Sequence, residues 1–268
     1  MQKNNKTVLI AKNLSDVLYH LKSVEGLQIL AGCTNISEMS DKAVSIRTIS
    51  ELRSIEKHER SIDFGSCLTL TEILELGRTN MPAVLYDAIK SIGTFPLRNK
   101  ATLGGNICSK GIKHSLWAPL LALDARLEFK SSSETKIIPM GNFKEVPKGF
   151  VLTKVKVPVD DWEVQIFRRT GPSNSLTNQS AGFAFLVDTQ KDIIANVRIT
   201  FAGSVIFRSR DLENTIIGTT LPLSDIFIKN LTTQAKEKFE KEFEQYNVPE
   251  IIKNQFLSLL RNALEQLT

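Results

Sequence analysis

The sequence predicts an α+β protein of two domains, and three observations carry that prediction. The first fifty residues read strand, helix, strand; the middle of the chain is a series of short alternating strands; and a long antiparallel pair is followed by two amphipathic helices at the C-terminal end. The 268 residues suffice for two domains. Hydrophobic residues make up 42% and charged residues 24%, the balance of a globular chain rather than a disordered or fibrous one.

In chain order, TVLIA is a short strand, and Ser15-Asp16 opens a helix with Val17, Leu18 and Leu21 at helical spacing. LQILAGC is a second strand, and VSIRTI closes a small βαβ unit. SIDFGSCLTL alternates as a strand, and Thr69 with Glu72 forms a capping box ahead of EILELG. Pro82 opens the helix PAVLYDAIKSI, and SLWAPLLALDA forms another. Strands follow at RLEFK, KIIPM and FVLTKVKVP, the first two joined by the polar turn SSSET. The boundary is placed at Pro158–Asp161. It gives a first domain over 1–158, with subdomains of about 1–53 and 54–158, and a second over 162–268. The second carries WEVQIFRR, then SAGFAFLVD and IIANVRITFAGSV paired across TQKD. Two helices end it, one with Leu231, Ala235, Phe239, Phe243 and Tyr246 on a face, the other with Ile252, Phe256, Leu260, Ala263 and Leu267.

Several function classes are set aside at this level. Three scattered cysteines form neither a disulfide framework nor a metal-ligand pattern, so no metal site is expected. The net charge of +5 is spread along the chain, with no nucleic-acid module beside it. No apolar run is long enough to span a bilayer, and MQKNNKTVLI lacks a secretory apolar region, so a cytoplasmic location is expected. No Ser-His-Asp set or carboxylate pair occurs in a motif, and no catalytic residue is assigned.

Two glycine-containing loops point to an anion. Glycine lets other atoms approach the main chain and reaches angles that converge successive N–H groups. LAGCTNI supplies Gly32, Thr34 and Asn35 after a strand, and KATLGGNI supplies Thr102, Gly104, Gly105 and Asn106 in a turn. Together they suggest two loops gripping a diphosphate from opposite sides. The absence of G-x-G-x-x-G excludes a Rossmann site.

AGCTNI, the run IGTFPLRNKATLGGNIC, LLALDA, and FAG with the downstream Arg210 and Leu212-Glu213 resemble the flavin-binding subunit of molybdenum hydroxylases. That family includes the medium subunits of xanthine and carbon monoxide dehydrogenases. The resemblance implies a two-subdomain FAD-binding unit of the PCMH type and a C-terminal antiparallel sheet with helices, as in carbon monoxide dehydrogenase flavoproteins. It implies that Ala31, Gly32, Cys33, Thr34 and Asn35 form the first FAD pyrophosphate loop, and Thr102, Gly104, Gly105 and Asn106 the second. Cys33 replaces a usual glycine, and Ser115 stands where relatives place an aspartate at the adenosine ribose. Arg98 reads equally as a loop anchor or a solvated residue, and Arg168 is a candidate near the isoalloxazine. The implied role is an oxidoreductase subunit that passes electrons from [2Fe–2S] clusters of a small partner subunit through FAD to NAD or another acceptor. A large partner subunit with a molybdenum cofactor would oxidise a purine or other N-heterocycle. The alternatives are a degenerate structural subunit with weak FAD binding, motivated by Cys33 and Ser115, and a free-standing flavin oxidase, for which the C-terminal half offers no substrate domain.

Other side chains are read as structural. His114 is a loop residue, His20 and His58 lie on helix surfaces, Cys67 and Cys108 fill apolar strand settings, and Trp117 and Phe95 belong to the core.

Overall fold

The computed structural model describes residues 7–36, 38–172 and 175–268. They form two compact units. One holds the described residues up to Met81, Gly93–Lys110 and Asp124–Val159; the other holds Pro82–Ile92, Gly111–Leu123 and Asp160–Thr268. The last exchange between them falls at residues 159–160. The units are discontinuous, because 82–92 and 111–123, inside the expected first domain, pack with the C-terminal residues.

The first unit begins with β1 (Thr7–Ile10), α1 (Leu14–Ser23), β2 (Gln28–Leu30) and β3 (Lys42–Ser45). These make a parallel sheet in the order β1-β3-β2, the βαβ arrangement the apolar spacing predicts. Asn13, not Ser15-Asp16, caps α1: its side chain accepts the Asp16 N–H at 2.8 Å, and Asp16 in turn accepts the Lys12 N–H at 2.9 Å. Val17, Val44, Ile46, Ile49, Leu52 and Cys67 form the core of this half. An antiparallel sheet follows, built from β4 (Ile55–Lys57), β5 (Ser61–Gly65), β6 (Arg126–Lys130), β7 (Thr135–Pro139) and β8 (Val151–Pro158) in the order β4-β5-β8-β6-β7. The strand β4 is too short and polar to show in the sequence pattern. Between β5 and β6 the chain forms α2 (Leu70–Leu74), α3 (Ala83–Lys90), α4 (Phe95–Arg98), α5 (Leu103–Cys108) and α6 (Trp117–Ala122), of which α3 and α6 belong to the second unit.

The second unit is organised by β9 (Val164–Thr170), β10 (Ala181–Gln190), β11 (Ile193–Ala202) and β12 (Ile206–Phe207), an antiparallel sheet in the order β12-β11-β10-β9. Ala181–Val187 are all buried, so β10 reads as an unbroken apolar run rather than an alternating one. α7 (Arg210–Ile216), α8 (Asp225–Glu242) and α9 (Glu250–Leu264) complete the unit. Phe183, Phe201, Phe207, Phe239 and Phe256 interlock there, with ring centroids 4.8 Å apart for Phe207–Phe256 and 5.4 Å for Phe239–Phe256. Every residue of α6 is buried. The Thr200 hydroxyl donates to the Ala118 carbonyl at 2.8 Å, which explains why 111–123 joins this unit. Two expectations on the terminal helices change: α8 ends at Glu242, and Tyr246 lies beyond it, 68% exposed, while Leu267 reaches the core from the turn after α9. Among the described residues no helix is long and apolar enough to cross a membrane.

Glu213 and Arg208 tie this unit together. Glu213, 3% exposed, accepts the Ile199 N–H at 2.9 Å and the Arg208 Nε–H at 3.1 Å, while Arg208 Nη1 donates to the Leu121 carbonyl at 2.8 Å. Removing one member of a buried, hydrogen-bonded ion pair strands the other's charge and costs about 3–5 kcal/mol. Glu213→Ala is therefore expected to lower stability by about 3 kcal/mol or more, read as a drop in the urea midpoint.

Candidate functional site

The first glycine loop leaves the end of β2, and the second segment runs from the end of α4 into α5. The structure brings them into contact. A Cβ on Gly32 would lie 1.9 Å from the Lys100 carbonyl oxygen and 3.2 Å from the Ala101 Cα, so no residue with a side chain fits there. Cys33 follows with φ +53°, in the left-handed region that ordinary residues avoid, and its thiol is exposed. Among the described residues, the N–H groups of Gly32, Cys33 and Thr34 donate to no protein acceptor, and Cys33 and Thr34 are exposed. A turn whose successive N–H groups have no acceptor among the described residues has the backbone chemistry of an anion nest.

The second segment differs from the turn the sequence suggests. Thr102 caps α5, and Gly104, Gly105 and Asn106 lie inside that helix. Its N–H groups are spent: Leu103 donates to the Leu68 carbonyl at 2.9 Å, Gly104 to the Ser66 carbonyl at 2.8 Å, Gly105 to Thr102 Oγ1 at 3.1 Å, and Asn106 to the Thr102 carbonyl at 3.0 Å. The glycines here serve close packing. A Cβ on Gly104 would meet Ser66 O at 2.9 Å, and one on Gly105 would meet Thr102 Oγ1 at 2.9 Å. What this segment offers a ligand is the Asn106 side chain. It is 7% exposed, and its Oδ1 has no hydrogen-bond partner. A buried acceptor left so costs about 1–3 kcal/mol, which a hydroxyl or N–H of a bound molecule would relieve.

A ladder of bonds holds the second segment in place. Thr69 and Thr102 face each other in an antiparallel bridge, and Leu70 donates to the Ala101 carbonyl at 3.0 Å. The predicted capping box secures the Thr69 side of that bridge. Glu72 accepts the Thr69 N–H at 2.8 Å and its hydroxyl at 2.7 Å, and its other oxygen takes a bond from Arg53. Burial pushes the Glu72 carboxyl up, but the bonds from Thr69 and Arg53 outweigh it and hold it below the usual carboxylate range. Ser66, Leu68, Lys100 and Ala101 are the positions that loop motifs did not reveal; they act through backbone carbonyls and close approach, which leave no mark on side-chain identity.

Of the remaining candidates, Arg98 Nη1 donates to the Gly93 carbonyl at 2.8 Å. Ser115 and Arg168 belong to the second unit. Ser115 is buried just before α6, and Arg168, on β9, donates to the Phe167 carbonyl at 3.0 Å. His114 is pushed down by burial and then by the Lys113 ammonium, whose Nζ sits 4.3 Å over the Trp117 ring. Trp117 is buried as expected, whereas Phe95 is 59% exposed on the one-turn helix α4, too short to bury both sides of an apolar pair. Cys67 is fully buried and burial pushes its thiol up to about 11, an inert core residue. Cys108 ends α5 instead of lying in a strand, and His58 follows β4 instead of lying on a helix.

Comparison with known proteins bears on this arrangement. Residues 3–160 match the family described as the FAD binding domain in molybdopterin dehydrogenase. The chain is 31% identical over 147 residues to the xanthine dehydrogenase FAD-binding subunit of Escherichia coli O157:H7, covering 51% of this chain and 50% of that one. It is 21% identical over 245 residues to the glyceraldehyde dehydrogenase medium chain of Sulfolobus acidocaldarius, covering 85% and 86%. Its fold matches a chain of carbon monoxide dehydrogenase from Hydrogenophaga pseudoflava with a TM-score of 0.83 at 14% identity, over 97% of this chain and 96% of that one. The matches to the two xanthine dehydrogenase FAD-binding subunits of Escherichia coli span only 63% and 50% of those proteins' lengths.

Two outcomes follow from the loop geometry. Cys33→Gly removes a left-handed strain worth about 1 kcal/mol and is expected to raise the thermal midpoint. A carboxyl with a depressed folded value stabilises above its unfolded value and loses that contribution as pH falls through the folded one. The midpoint gap between the wild-type chain and Glu72→Gln should therefore be open at neutral pH and close below about pH 4, as followed by thermal unfolding.

Proposed function

Because this chain belongs to the family of FAD binding domains in molybdopterin dehydrogenase, we propose that it is the FAD-carrying, electron-relaying subunit of a molybdenum hydroxylase. The observation that carries this reading is the Gly32 cradle. A main chain free of side-chain bulk at Gly32, with three adjacent N–H groups that have no acceptor among the described residues, suits the negatively charged centre of a dinucleotide. The buried Asn106 carboxamide adds an acceptor for a ribityl or ribose hydroxyl or a ring N–H. The residues present therefore fit FAD.

In this reading Ala31, Gly32, Cys33, Thr34 and Asn35 hold the pyrophosphate through backbone donors. Thr102, Gly104 and Gly105 act by fixing the surface on which that loop rests, and Asn106 orients the nucleotide. Arg98 braces the α4 turn. Ser115 and Arg168 are proposed for the ribose and the isoalloxazine. Bound FAD supplies the ability to take electrons singly and release them in pairs. The protein's own residues need then only bind and orient it, in keeping with the lack of an acid–base pair in any sequence motif. The electron source would be [2Fe–2S] clusters of a small partner subunit, fed by a large subunit with a molybdenum cofactor acting on a purine or other N-heterocycle. The final acceptor would be NAD or another carrier, and the location cytoplasmic.

One observation favours the second reading, a structural subunit that binds FAD weakly: the N–H groups of residues 103–106 are all consumed internally, leaving one backbone nest instead of two. Titration of the flavin-free chain with FAD separates the two. The relay reading expects saturable one-to-one quenching of flavin fluorescence and bleaching of the bound flavin by a reductant. Gly32→Ala is expected to weaken binding by at least tenfold, about 1.4 kcal/mol. A wild-type chain that takes up no FAD supports the structural reading.

A further inference from the structure

We propose that Glu56, His58 and Asp63, at the β4 edge of the five-stranded sheet, form a site for one zinc-like divalent ion. Glu56 and Asp63 stand directly opposite each other across the antiparallel β4–β5 pair. Two carboxylates in that position repel, and the Lys154 and Lys156 ammoniums offset that repulsion, so an ion entering between them takes over a cation's place. His58 is two residues beyond Glu56, so the strand period puts both on one face, and its N–H donates to the Ser61 carbonyl at 2.8 Å, which carries the ladder on to it. The ligand atoms of all three side chains lie within 4.8 Å of one another.

Two details separate this cluster from an ordinary charged surface. His58 Nε2 lies 3.4 Å from Asp63 Oδ2, longer than a good N–H···O bond. Zinc bonds of about 2.0–2.1 Å in tetrahedral geometry put neighbouring ligand atoms about 3.3–3.4 Å apart, so this pair already spans one edge of a zinc tetrahedron. Asp63 Oδ1 is buried and has no hydrogen-bond partner, while the side chain as a whole is only 13% exposed. The oxygen facing His58 and Lys156 is Oδ2, so Oδ1 gains a partner from an ion there only if Asp63 binds it through both oxygens or rotates its carboxylate. One imidazole with two carboxylates selects zinc, cobalt or nickel over calcium or magnesium, which prefer oxygen alone.

Lys154 sets the affinity. Its Nζ lies 2.7 Å from both Glu56 oxygens, and Lys156 Nζ lies 3.9 Å from Asp63 Oδ2. Binding requires Glu56 to leave Lys154, so the ion competes with an ammonium already in place. The sequence gives no warning of this site, because its ligands come from two strands and the short motif Glu-Lys-His is common.

Titration of the full chain with zinc, followed calorimetrically, tests the proposal, and cobalt provides a spectroscopic check through the visible bands of a tetrahedral ion without a thiolate charge-transfer band. Saturable one-to-one binding is expected. His58→Ala or Asp63→Asn should weaken it at least tenfold, and Lys154→Met, which removes the competitor, should tighten it several-fold. A gain of affinity cannot come from misfolding. Failure of the Lys154→Met chain to bind zinc saturably, or an isotherm that none of the three substitutions moves, overturns the proposal.

Discussion

The contact between the Gly32 Cα and the Lys100 carbonyl is the constraint on which the candidate site rests. At 1.9 Å from a notional Cβ, the carbonyl leaves no room for any side chain. The first loop can therefore lie flat on the second segment only as glycine. Everything beneath the contact serves to keep that carbonyl still. Ala101 and Leu103 are bonded to Leu70 and Leu68, Thr102 is bridged to Thr69, and Thr69 is fixed by Glu72, which Arg53 holds in turn. A loop with free N–H groups is useful to an anion only if those groups do not have to be reordered when it arrives, and this chain of bonds supplies the preorganisation.

Much of the fold was legible because its signals are local. The Thr69/Glu72 capping box, the Pro82 helix start and the polar turn between β10 and β11 each follow from a few adjacent residues. The failures share a cause as well. Asn13 caps α1 in place of Ser15 because the cap is decided by which residue turns extended, and Asn13 does, at φ −149°. Gly104 and Gly105 read as a turn because glycine weakens helices, yet both lie inside one because Ser66 occupies the space of a Gly104 side chain and the capping Thr102 hydroxyl that of a Gly105 one. Here tertiary packing overrides propensity.

The site itself was half legible. The glycines, Thr102 and Asn106 stood out by type and spacing, but their division of labour did not. Sequence treats the two loops as equivalent donors, whereas the structure spends one set of N–H groups internally and gives those of Gly32, Cys33 and Thr34 no acceptor among the described residues. Glu56, His58 and Asp63 were invisible for a different reason: a cross-strand cluster is defined by register, and register is fixed by pairing that no local window contains.

The interleaving of the two units has a genetic consequence. The chain passes from one to the other at residues 81–82, 92–93, 110–111, 123–124 and 159–160. A cut at any one of these points leaves at least one unit missing a segment of its own interior, and separation at 159–160 would take α6, wholly buried, away from the sheet it supports. Gene fission or exon shuffling there would yield two incomplete pieces rather than two modules, so descendants of this architecture should inherit both units together.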